Sequence, residues 1–168
     1  MSYSTAALVR RSKGWSAAEL ELDDAEDVEA VADLLRDLDP DAELSLLFVE
    51  AYDEFLVVLR LDRGEDLRVF GSDVAFADAS PVGAVLLEEL EDSPVPVSLE
   101  DEEEDDDEPA AEPPGQPVGD ADLLADLGIS ARDMLALCAQ EGMLPADVML
   151  EVCRKVGCAD ALIDLRGE

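Results

Sequence analysis

A chain of 168 residues with 44 Asp and Glu, 11 Lys and Arg and no His carries a formal net charge of −33. That balance repels phosphate backbones and excludes every catalytic pair or metal site built on imidazole. An apolar fraction of 48% is ample for a core, and the length suits one medium domain or a small domain with a helical module. The chain has no Asn and only two Lys beside abundant Ala, Asp, Leu, Val and Arg, the bias that GC-rich codons impose. Such codons enrich Arg as well, so the excess of acids over bases still points to an acidic surface.

In chain order, Tyr3 to Arg10 and Trp15 to Leu22 are β-like runs separated by Ser12, Lys13 and Gly14. The alternation Glu19-Leu20-Glu21-Leu22 reads as a half-exposed strand, so a hairpin is expected. Asp23 or Asp24 then caps a helix whose Val28, Val31, Leu35 and Leu38 recur at spacings of three and four and which ends before Pro40. Its outer face is acidic. Leu44 to Tyr52 and Phe55 to Leu61 flank Asp53 and Glu54 as a second hairpin, and Leu67 to Phe70 follows the Asp62-Arg63-Gly64 turn. Because FLVVL is apolar on both faces, it predicts a central strand. Ser80 and Pro81 open a helix with Val82, Val85, Leu86 and Leu90 on one side. The expected fold class is α+β, an antiparallel sheet with helices in the order ββαβββα over residues 1–98.

Residues 99–119 carry ten acids and no base. Nine of those acids are consecutive: Glu100, Asp101, Glu102, Glu103, Glu104, Asp105, Asp106, Asp107 and Glu108. The following PAAEPPGQPVG holds four prolines and two glycines, so an extended, disordered linker is expected. The acidic run is also the candidate partner-binding segment, as a mimic of a phosphate backbone or a weak ligand for divalent cations, against the simpler reading of a solvated tether. It lacks the alternating ligands and turning glycine of a calcium loop. Residues 120–168 read as a helical module. Asp120 caps a short helix ended by Gly128; Ser130, with Asp133 three residues on, opens a second ended by Gly142; Pro145 starts a third ended by Gly157. The stripes Met134, Leu135, Leu137, Cys138 and Val148, Met149, Val152, Val156 are expected to face each other. A bundle of roughly 45 residues is marginal alone, so it needs the first domain, a second copy or another protein to dock on.

Little else carries chemistry. Cys138, Cys153 and Cys158 form no Cys-x-x-Cys pair, which argues against zinc and a disulfide framework. Cys138 and Cys153 sit in apolar stripes as core residues, and Cys158, after Gly157, is the better candidate for a reactive thiol. Trp15, Phe48, Phe55 and Phe70 are expected in the sheet core, with one of them an alternative partner anchor. Arg10, Arg11 and Lys13 are the only local basic cluster, better read as an exposed turn than a phosphate site. Carboxylate pairs are too common to single out an acid–base dyad, and no glycine-rich phosphate loop occurs. Apolar runs fall far short of the roughly 20 residues that span a bilayer, and the N-terminus reverses the order of a secretory signal, so a cytoplasmic protein is expected.

The opening AALVRRSKGW, the segment LLFVEAYDEFLVVLRLDRGEDLRVFGSD, the acidic linker and the ending ISARDMLALCAQEGMLPADVMLEVCRKVGCADALIDLR together resemble the tRNA adenosine deaminase-associated protein family of actinomycetes. The resemblance covers nearly the whole chain apart from the linker. It implies partnership with a tRNA adenosine deaminase and carries no catalytic residues with it. The chain lacks the His-x-Glu and Pro-Cys-x-x-Cys elements by which zinc deaminases hold metal and move a proton. The expectation is a non-enzymatic accessory protein without a cofactor, docking through an acidic surface on the basic face of a deaminase and binding no nucleic acid directly. The alternative is a structural or regulatory adaptor, unrelated to tRNA modification, that forms a homodimer through its C-terminal helices.

Overall fold

In the computed structural model, residues 3–12, 14–22, 24–51, 55–63, 66–72, 76–87, 118–139 and 144–166 are described. The first hairpin is β1 (Tyr3–Arg11) and β2 (Gly14–Ala18), turned by Gly14 at φ +127°, where a Cβ is disfavoured. β3 (Leu44–Ala51), β4 (Phe55–Asp62) and β5 (Asp66–Gly71) follow, and β6 (Val118–Gly119) closes a six-stranded sheet in the order β2-β1-β3-β4-β5-β6 with every neighbour antiparallel. The register lines up Ala6, Phe48, Val58 and Phe70 as one row, with Ala7, Leu47, Leu59 and Val69 as the next. Successive residues point to opposite faces, so the first row belongs to one core and the second to another. A sheet buried on both sides explains why FLVVL is apolar throughout.

α1 (Val28–Leu38), α2 (Phe76–Ala79) and α3 (Pro81–Leu87) cover one face, where Val31, Leu35, Phe76, Val82 and Leu86 join Leu47, Val57 and Leu59. The cap of α1 is Asp27, whose carboxylate accepts from the Ala30 N–H at 2.9 Å, not the expected Asp23 or Asp24. The expected strand through Leu22 also stops at Ala18. Beyond it the Thr5 hydroxyl donates to the Leu20 carbonyl at 2.7 Å and accepts from the Leu20 N–H at 3.0 Å, while Leu22 N–H donates to the Tyr3 hydroxyl. Side chains of β1 thus take the backbone groups that a ladder would have used. α2 was not expected; it makes an elbow with α3, and the Leu90 assigned to that helix lies outside the described residues.

The elbow depends on Gly83. A Cβ there would lie 2.0 Å from the Phe76 carbonyl oxygen and 2.7 Å from its ring, and that ring stacks on Phe55 at 5.0 Å. Alanine at an ordinary helix site gains about 1 kcal/mol over glycine, but the overpacking here costs up to about 3 kcal/mol. Gly83→Ala is therefore expected to lose about 2 kcal/mol net in urea unfolding; a neutral or stabilised variant would contradict this packing.

The second face is covered from the C-terminal side. β6 extends the sheet by two residues at the end of the stretch read as linker, and the Asp120 N–H donates to the Val69 carbonyl at 2.9 Å. A short 3-10 turn (Ala125–Leu127) ends at Gly128, φ +106°. α4 (Ala131–Ala139) begins where Ser130 accepts from the Asp133 N–H at 3.1 Å, and its expected end at Gly142 lies outside the described residues. α5 (Pro145–Val156) ends at Gly157, φ +105°, and an unexpected α6 (Ala159–Arg166) follows. Met134, Val148, Met149, Val152 and Leu162 share one core with Leu8, Leu46, Phe48, Val58 and Phe70, and α6 packs across β1 and β2. The stripes of α4 and α5 therefore close on the sheet as well as on each other.

Candidate interaction surface

Burial of Val28, Val31 and Leu35 fixes what α1 shows to solvent: Glu29, Asp33 and Asp37 project outward at helical spacing. The chain entering the helix adds Glu19, Glu21, Asp24, Glu26 and Asp27, and the chain leaving it adds Asp41 and Glu43, all exposed. Over residues 19–43 the one base is Arg36, which pairs with Asp33. The outcome is an acidic band on the α1 side of the sheet. By contrast, the helices on the other side mix exposed Asp133 and Asp147 with exposed Arg132, Arg154 and Lys155.

The basic cluster read from the sequence is occupied. Arg11 is bidentate to the buried Asp39, with Nε to Oδ2 at 2.6 Å and Nη2 to Oδ1 at 2.8 Å. The guanidinium hydrogen bonds hold the Asp39 carboxyl below the usual carboxylate range against the opposing effect of burial. Arg10 lies over the Trp15 ring, 5.7 Å from its centroid. Lys13 lies outside the described residues. Among the described residues, Arg10 and Arg11 are thus engaged separately, one by an aromatic ring and one by a carboxylate.

Sequence reasoning missed Arg60. Its side chain, 8% exposed on the face of β4 toward the C-terminal helices, donates to the Leu123 carbonyl at 2.6 Å, to both oxygens of Asp126 at 2.5 and 2.9 Å, and to Asp62 at 3.2 Å. The guanidinium lowers the Asp126 pKa. A lone Arg inside an apolar strand is the signal that a partner exists, although its identity lies far along the chain. This is a tie between sheet and C-terminal segment.

Among the other candidates, Phe48 and Phe70 lie in one core, Phe55 in the other, and Trp15 is half-buried at the sheet edge. Cys153 is core, as expected. Cys158 is not an accessible thiol: it is 1% exposed, because the left-handed cap at Gly157 turns the chain back and the Cys158 N–H donates to the Cys153 carbonyl at 2.8 Å. The side chain of Cys138 and the acidic run Glu100 to Glu108 lie outside the described residues. Leu144, 46% exposed, is a large apolar side chain at the start of α5 that sequence reasoning did not single out. Among the described residues no three His, Cys, Asp or Glu side chains are grouped to hold a metal ion, and no helix is long and apolar enough to cross a membrane.

A protein-family model described as Rv3753c-like tRNA adenosine deaminase-associated protein matches residues 3–159. The match takes in the sheet, the helices on one face and α4 and α5 on the other, and ends where α6 begins. No curated protein and no solved structure matches the chain.

Proposed function

The chain belongs to the Rv3753c-like tRNA adenosine deaminase-associated family, and from that premise we propose that it is a non-enzymatic, cytoplasmic accessory protein that docks on a tRNA adenosine deaminase. The observation that carries the reading is the acidic band along α1, where exposed acids from Glu19 to Glu43 surround a single, paired Arg. An enzyme that grips tRNA presents cations to phosphates, and a band of carboxylates complements that surface. Binding there covers the tRNA site in the manner of a nucleic-acid mimic, so tRNA and this protein compete.

The test is a binding titration against the purified deaminase of the same organism. Affinity is expected to fall about tenfold between roughly 50 and 200 mM salt, because the contact is between exposed charges. The triple variant Glu29→Lys, Asp33→Lys, Asp37→Lys is expected to weaken binding by a further factor of about ten or more. Deletion of residues 100–108, which leaves β6 in place, measures the share carried by Glu100 to Glu108. Affinity indifferent to both salt and the triple variant would remove the electrostatic reading. The self-associating adaptor gains no support from the geometry, since the apolar stripes of α4 and α5 are used within the chain.

A further inference from the structure

The two edges of the sheet differ. On one side β5 places exposed Asp66 and Arg68 along its rim, and β6 covers the rest. Charges of that kind guard an edge against pairing with another chain. On the other side β2 reads Gly14-Trp15-Ser16-Ala17-Ala18, with no charge, no proline and an unbroken register against β1. An antiparallel strand turns alternate N–H and C=O groups away from its neighbour. Those of β2 have no hydrogen-bond partner among the described residues.

The described cations near this edge are engaged, Arg11 by Asp39 and Arg10 by the Trp15 ring, and Lys13, just before Gly14, lies outside the described residues. The acids are not: Glu19 and Glu21 follow directly after β2, and Asp160 and Asp164 lie on α6, which packs on β2. All four are exposed and form no ion pair among the described residues. We propose that β2 accepts an extended segment of a partner protein bearing lysine or arginine as a seventh strand, with main-chain bonds supplying the pairing and the flanking carboxylates selecting a basic sequence. This rests on the docking function above and narrows its contact to the edge where the acidic band begins.

Trp15 is the sole tryptophan of the chain and lies in β2, so its emission reports on the edge. The full chain is titrated with a short peptide of alternating lysine and valine, and with the same peptide N-methylated along its backbone, which keeps the charge and removes the donors. The first peptide is expected to shift Trp15 emission and slow amide exchange in residues 14–18, and the second to bind about tenfold more weakly or worse. Ser16→Lys, an exposed change, is expected to give a similar loss with an unchanged melting temperature. Equal binding of the two peptides, or no slowing of exchange in residues 14–18, overturns the proposal. Slowing that depends on protein concentration without peptide assigns the edge to a second copy and overturns it too. Hydrogen exchange on the deaminase complex separates the two readings: a complex with residues 14–18 unprotected removes the added strand and keeps the docking. Absence of any complex removes the docking, and the peptide result then decides the edge alone.

Discussion

Phe48→Ala is expected to cost about 4 kcal/mol and to loosen the C-terminal helices together with the sheet. Phe48 is fully buried in β3, and its row in the register faces the core that Met134, Met149, Val152 and Leu162 complete from the other layer. Truncation removes transfer free energy and leaves a cavity that neither a hydrogen-bonded strand nor a packed helix collapses to fill. Against a total stability of about 5–15 kcal/mol, that is a large fraction. Cys153 and Cys158 supply the second readout, since both are buried beneath the same helices. In a Cys138→Ser background their reaction with a thiol reagent is expected to accelerate in step with the loss of stability measured in urea. Thiols that stay protected at the parental rate while the sheet weakens would show that helices and sheet do not share this core.

Local rules carried much of the fold because local rules decided it. The two apolar faces of Phe55 to Leu59 follow from a strand with helices above and below, and Gly128 and Gly157 end helical segments because each adopts a positive φ that a side chain resists. The outward spacing of Glu29, Asp33 and Asp37 was legible for the same reason. What escaped was set by contacts distant in sequence. Arg60 meets Asp126 only because the chain returns across the sheet through β6, and no local pattern specifies that return. α6 was hidden behind Gly157, where a helix had just ended. Cys158 looked exposed by its place after a glycine and proved buried because that glycine reverses the chain. The acidic composition announced a charged surface, but only the layering of the sheet assigned it to the α1 side.

The Arg60 tie yields a prediction whose ordering reverses a count of hydrogen bonds. Arg60 makes more bonds than Asp126, yet Asp126→Ala is expected to cost about 2 kcal/mol and Arg60→Met about 1 kcal/mol. Removing Asp126 leaves a guanidinium that is 8% exposed with Asp62 and the Leu123 carbonyl as its remaining partners. Removing Arg60 instead leaves Asp126, 63% exposed, and Asp62, 31% exposed, which water solvates, and puts an apolar chain on an apolar face. That exposure also keeps the Asp126 loss below the 3–5 kcal/mol of a fully buried pair. Acid titration gives an independent sign. The pKa values of Asp39 and Asp126 are lowered by their Arg partners, so these pairs contribute fully above the ordinary aspartate value of about 3.9 and are lost as pH falls through the lowered values. Over the range from neutral to about pH 5 the opposite trend is expected, since protonating part of a chain of net charge −33 relieves self-repulsion. Melting temperature should therefore pass through a maximum in mild acid, and Asp126→Ala should flatten the descent below it. A steeper descent in the variant would contradict the pairing of Asp126 with Arg60, and a larger loss for Arg60→Met than for Asp126→Ala would mean that the bonds of the buried cation outweigh the cost of its desolvation.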